Sequence, residues 1–185
     1  MIAIVEDYRD YQPPPSVKRS IERLVSGLPE RCHSEIEAIV LTNATAVGPG
    51  KTMRRRGRKY LRRECLGFYH YQDRRGKAWI EIVVDNALHG FPSWALKIPS
   101  VEQMTLGDVL FHEVGHHLNA TVGPLARVEE LAADAWRKRL LWAHIRSNYW
   151  YLLPIMWLAA TAGAVLLKRR RAFTADRAPS GSPPP

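Results

Sequence analysis

His112-Glu113-Val114-Gly115-His116 brings two imidazoles and a carboxylate together within a single short stretch of chain. On a helix, residues four apart share a face, so His112 and His116 can offer ring nitrogens to one metal ion. Glu113 stands beside that face, where a carboxylate can take a proton from a metal-activated water. The chemistry implied is zinc-dependent hydrolysis. A catalytic zinc uses three protein ligands and keeps one position open for water. The next carboxylates along the chain are Glu129, Glu130 and Asp134. Glu130 and Asp134 are one helical turn apart on one face. Glu130 is therefore expected to complete the shell, and Asp134 to accept the second N–H of a ligand histidine and fix its tautomer. Glu129 competes with Glu130 on chemistry alone, and the relation to Asp134 favours Glu130. Val122 stands six residues after His116, so the three-histidine metzincin pattern is absent.

His112-Glu113-x-x-His116 followed by Glu130-x-x-x-Asp134 resembles the gluzincin metallopeptidases. The wording Glu-Leu-Ala-Ala-Asp is similar to the signature of the heat-shock and CAAX-prenyl membrane endopeptidases. The order of a strand and then the motif helix resembles the small ImmA/IrrE-type regulatory peptidases. The likeness covers roughly residues 78 to 140. It implies a zinc peptidase in which Zn2+ is held by His112, His116 and Glu130. Glu113 would be the catalytic base, Asp134 would support a ligand, and the substrate would be a peptide or protein. The short interval from His116 to Glu130 leaves room for a tight helix–turn–helix.

These residues need two helices to present them. Thr105-Leu106-Gly107-Asp108 has the form of a capping box, and Leu106, Val109, Leu110, Val114 and Leu118 supply an apolar stripe. Gly123-Pro124 ends that helix, and a second is expected to start near Pro124. Gly115 inside the first helix costs about 1 kcal/mol relative to alanine, which points to a close packing contact behind the site. His117 falls off the metal face and reads as structural. Asp108 reads as a first-turn aspartate favoured by the helix dipole, with support of His112 as the alternative. No oxyanion-stabilising residue is identified. His144 would lie about 21 Å along an unbroken helix from Glu130, and His89 reads as a surface histidine.

The N-terminal half reads as scaffold. A helix is expected over 16–28, with strands over 36–41, 66–71 and 78–85 and a turn at 73–76. The fold class that follows is α+β, a small mixed sheet backing a zincin-like helix pair. The strand 78–85 is either an edge that takes substrate by strand addition or a central core strand.

A chain of 185 residues holds one ordinary domain and an appendage. The expected division is a catalytic domain over 1–146, a hydrophobic helix over 147–167, and a basic, then Pro/Ser-rich, tail over 168–185. The middle segment lacks charge, carries Tyr149, Trp150, Tyr151 and Trp157 toward one end, and is followed by Lys168-Arg169-Arg170-Arg171. Such a run is expected to span a membrane, with a helix packed on its own domain as the competing reading. The first residues do not make a signal peptide, so the expected location is membrane-attached with a cytoplasmic domain, or else soluble in the cytoplasm. Cys32 and Cys65 fit no metal or redox spacing.

The formal charge of +9 owes much to Lys51, Arg54, Arg55, Arg56, Arg58, Lys59, Arg62 and Arg63. A mobile solvated loop is the plain reading of that stretch. An anionic membrane surface contacting Arg54 to Arg63 is the simplest partner if the tail is embedded. Nucleic acid is disfavoured because no recognition motif accompanies the arginines. Gly48-Pro49-Gly50-Lys51-Thr52 has Thr45 where a phosphate-binding loop needs its first glycine, which argues against nucleotide binding. A non-catalytic metal-binding regulatory module remains as an alternative, and the intact Glu113 argues against it.

Overall fold

A computed structural model describes residues 2–48, 52–55, 58–71, 77–123 and 125–152, and the chain divides into two compact units, 1–144 and 145–185. In the first unit, Ala3–Asp7 (β1) leads through helix Val17–Ser26 (α1) to Ile36–Thr42 (β2), which runs parallel to β1. A short helix Ala44–Val47 (α2) precedes a hairpin of Thr52–Arg55 (β3) and Arg58–Leu61 (β4). Gly67–His70 (β5) then pairs antiparallel with Ala78–Val83 (β6), and β6 lies parallel to β2. The sheet order is β1-β2-β6-β5, with β3-β4 as a separate ribbon. Helices Val84–Leu88 (α3) and Ser93–Leu96 (α4) lead into the long helix Pro99–Thr121 (α5), and Glu129–Asn148 (α6) follows.

The sheet has two different faces because side chains alternate along its strands. Ile39, Leu41, Ile80 and Ile82 are buried on one face. They form a single core with Val17, Ile21 and Leu24 of α1 and Leu106, Leu110 and Leu118 of α5. On the other face Val83 and Phe68 close over Val47 in a smaller cluster. A charged group shares that second face: buried Glu81 accepts from Arg62 and lies 3.0 Å from His70 Nε2, while His70 stacks on Trp79 at 3.6 Å. Burial would raise the Glu81 pKa, but the His70 hydrogen bond and the Arg62 charge outweigh it and hold the carboxyl below the usual range.

The mixed α+β architecture stands as expected, with several corrections inside it. The strand over 78–85 is central, between β2 and β5, so the sheet edge beside α5 is β5. The α5 helix starts at Pro99, a favoured first-turn residue, and not at Thr105. Thr105 is an interior residue whose Oγ donates to Val101 O at 2.8 Å, so there is no capping box. Asp108 is likewise mid-helix, and Arg137 of α6 holds it at 2.7 and 2.9 Å. Gly123 takes a positive φ of 127° just past α5, the stop expected of it. The second helix begins at Glu129, five residues later than the proline signal suggested, and Pro124 lies outside the described residues, as does the turn at 73–76.

Among the described residues no helix is long and apolar enough to cross a membrane. The expected spanning segment, 147–167, is described only to residue 152. There α6 ends at Asn148 and Trp150–Leu152 form a single 3-10 turn. The remainder of that segment and the tail over 168–185 lie outside the described residues.

Candidate metal centre

The α5 and α6 helices approach closely because Gly115 has no side chain. A Cβ at that position would stand 2.6 Å from Ala133 O and 3.0 Å from Ala133 Cα. Both are backbone atoms of the facing helix, so nothing there can swing aside. This is the close contact that a glycine inside a helix implied. It sets α5 and α6 at a separation that lets side chains one turn along from each other meet.

His112, His116 and Glu130 each offer one ligand atom, and these atoms lie within 4.8 Å of one another. His112 Nε2 is 3.7 Å from Glu130 Oε2, and His116 Nε2 is 3.9 Å from Glu130 Oε1. Donors around a tetrahedral zinc are separated by about 3.3 Å. The two nitrogen-to-carboxylate spacings exceed that by roughly half an ångström, and the separations within the group run to 4.8 Å, so the side chains would draw inward around an ion. The two imidazole rings stand 4.9 Å apart and nearly perpendicular, so both can point one nitrogen at a common centre. Two nitrogens and a carboxylate oxygen are a donor set that suits zinc.

The second nitrogen of each ring meets its own carboxylate. His112 Nδ1 is 3.1 Å from Asp134 Oδ1, the supporting contact expected of Asp134. His116 Nδ1 is 3.5 Å from Glu129 Oε1. Glu130 faces the Nε2 atoms, and Glu129 faces the back of His116. Both glutamates occupy the first turn of α6, where the helix dipole favours negative charge.

Glu113 is 6% exposed and lies against the edge strand. Gly67 of β5 makes room for it. A Cβ on Gly67 would come within 3.1 Å of Glu113 Cγ and Oε1 and within 2.9 Å of Val109 Cγ1. The edge strand can therefore run directly alongside the candidate base.

Two residues absent from the motif also belong to this region. Tyr71, just after β5, donates from its hydroxyl to Glu129 Oε1 and packs edge-on against Tyr69 at 4.7 Å. Burial, the bond to Glu129 and the nearby charges of Glu129 and Glu113 all push its phenol pKa up, so the group stays protonated and able to donate. Gly67 likewise carried no recognisable signal, since a lone glycine before a strand has many ordinary explanations.

The remaining histidines are structural or peripheral. His117 is 1% exposed, and its Nδ1 lies 3.0 Å from Tyr69 Oη. Burial pushes its pKa down. His144 is buried against the Phe111 ring at 5.9 Å, and His89 is exposed at the end of α3. Residues 54–55 and 58–61 belong to the β3-β4 ribbon, and Arg62 and Arg63 to the 3-10 turn that follows it.

No protein-family model, curated protein or solved structure matches the chain.

Proposed function

We propose that the protein is a zinc-dependent peptidase of gluzincin type. The observation that carries this reading is the convergence of His112 Nε2, His116 Nε2 and the Glu130 carboxylate, with buried Glu113 directly after His112 on the same helix. His112, His116 and Glu130 would hold the ion. When bound, zinc would act as a Lewis acid and make a water acidic enough to attack a carbonyl at neutral pH.

The chain's own residues supply the rest. Asp134 and Glu129 would accept from the Nδ1 atoms, so each imidazole would keep its Nε2 lone pair for the ion that Glu130 also binds. Glu113 takes the proton of the attacking water and passes it to the departing amine, which leaves as a neutral product. The β5 strand bonds to β6 along one side and is the outermost strand of its sheet, so an extended peptide can add along its other side. The contact between Gly67 and Glu113 would bring the backbone of such a peptide to the base.

The test is a single substitution with two readouts. Glu113→Gln should keep about one zinc per chain by elemental analysis while losing hydrolysis of a casein or mixed-peptide substrate. Hydrolysis at the parental rate in this variant, or parent protein that takes up no zinc, would overturn the proposal.

A further inference from the structure

Arg137 joins the two ligand-bearing helices from outside the ligand set. It lies on α6, three residues after Asp134, and meets Asp108, which stands one turn before His112 on α5. Arg137 Nη1 donates to both Asp108 oxygens, at 2.7 and 2.9 Å, in a charge-assisted contact of the strong kind. Arg137 Nε lies 3.6 Å from Asp134 Oδ1. That is the same oxygen that His112 Nδ1 approaches at 3.1 Å. Asp108, Arg137, Asp134 and His112 thus form one line, and the line ends on a candidate ligand.

A plain tie between helices would engage the guanidinium with Asp108 alone. Two features set this one apart. Arg137 Nε is buried and has no hydrogen-bond partner among the described residues. A buried donor left unpaired is unfavourable, so a pull toward Asp134 Oδ1 remains, and a small rotation brings that acceptor within reach. The second feature is exposure: the Asp134 side chain is 40% exposed, against 27% for that of Arg137. A carboxylate so open to water has other staggered rotamers to adopt. A guanidinium anchored on α5 favours the one that meets His112. The planar fork of arginine suits the task, because Nη1 and Nε keep a fixed relation and can serve two carboxylates at once.

We propose that Arg137 is a positioning residue of the metal centre: anchored by Asp108, it holds the Asp134 carboxylate on His112 Nδ1 through its own Nε. Arg137 is not itself a ligand and acts through Asp134. The inference rests on the reading of His112 as a zinc ligand. With Arg137 in place, the Nδ1 side of the His112 ring has a fixed acceptor, and Nε2 is turned to the ion. Without it, Asp134 can swing to water and the ring loses its support.

The experiment is a zinc competition titration on the full chain, carried through a double-mutant cycle. Asp134→Asn should weaken zinc binding by about 10-fold to 100-fold, the range for loss of a carboxylate behind a ligand imidazole. Arg137→Gln should weaken it by about 10-fold, the lower end of that range. The double variant should bind like Asp134→Asn alone, because Arg137 reaches the metal only through Asp134. Arg137→Lys can keep its ammonium on Asp108 but has no Nε. It should therefore keep the parental denaturant midpoint in EDTA and still lose zinc affinity. It also takes the place of Arg137→Gln in the cycle if the glutamine variant does not fold. Losses that multiply in the double variant, or parental zinc affinity in Arg137→Lys, would reduce Arg137 to a tie between helices and overturn the inference. Parent protein that takes up no zinc would instead overturn the zinc site itself, and the peptidase reading with it.

Discussion

At the scale of single residues, adjacent glutamates have different surroundings. Glu130 faces both Nε2 atoms, while Glu129 lies on His116 Nδ1 and receives the Tyr71 hydroxyl. Loss of a carboxylate that orients a ligand imidazole typically weakens metal binding by about 10-fold to 100-fold. Glu129→Gln should fall within that range in a zinc competition titration. Glu130→Gln, which removes a donor, should weaken binding further. If the order of the two variants is reversed, the third ligand is Glu129. That Glu130 faces the histidine pair was legible in the sequence because Asp134 lies one turn beyond it. The position of Glu129 was not, since it depends on where the back of His116 points. Tyr71 was hidden for a different reason: it meets Glu129 across a long separation in sequence, and only the packing of β5 beside the helices brings them together.

At the scale of elements, the helix pair is governed by its closest contact. Alanine at Gly115 would improve helix propensity by about 1 kcal/mol. It would also drive a methyl into the Ala133 backbone at 2.6 Å, and overpacking of that kind costs about 1–3 kcal/mol. The steric term wins because the obstructing atoms are backbone. Gly115→Ala should therefore lower the denaturant midpoint and also weaken zinc binding, since α6 carries Glu130. A variant that gains stability and keeps its zinc affinity would show that the helices have room to spare. The motif helix, α1, β2, β5 and β6 were readable from apolar periodicity and turn residues. The β1 strand was not, because most of its residues are exposed and it ends in acidic residues. The β3-β4 ribbon was missed because its composition is that of a loop, and the start of α5 because a plausible capping box lay inside the helix.

At the scale of the whole first unit, burial of neutral imidazole links stability to pH. His144 is 8% exposed, and burial lowers its pKa below the ordinary 6.5. In the unfolded chain the ring regains that ordinary value and binds a proton more readily than in the native state. Unfolding is therefore assisted wherever pH falls below about 6.5, and the stabilising contribution is fully present only above it. Chemical denaturation across pH 5 to 8 should show stability rising with pH up to about 6.5 and levelling above it. His144→Phe, which keeps a ring against Phe111, should flatten the rise. An unchanged slope in that variant would assign the acid sensitivity to other groups. The α+β class was evident from the sequence, as was the position of the helix pair after the sheet strands. The two-faced character of the sheet was not, because it follows from the register of β6 between β2 and β5.

The closeness in sequence of the three candidate ligands has a bearing on how the chain reaches its native state. His112, His116 and Glu130 all belong to one helix–turn–helix, whereas the sheet joins strands from Ala3 to Val83 through parallel pairings that span long stretches of chain. Closing a loop of eighteen residues costs only about 2.6 kcal/mol plus a constant in chain entropy. Long-range strand pairing, on the other hand, is intrinsically slow. A divalent ion can thus clasp α5 to α6 before the strands have found one another, and the sheet would then assemble on a helical template already in place. For this chain the metal would be an early participant in folding as well as a late participant in chemistry.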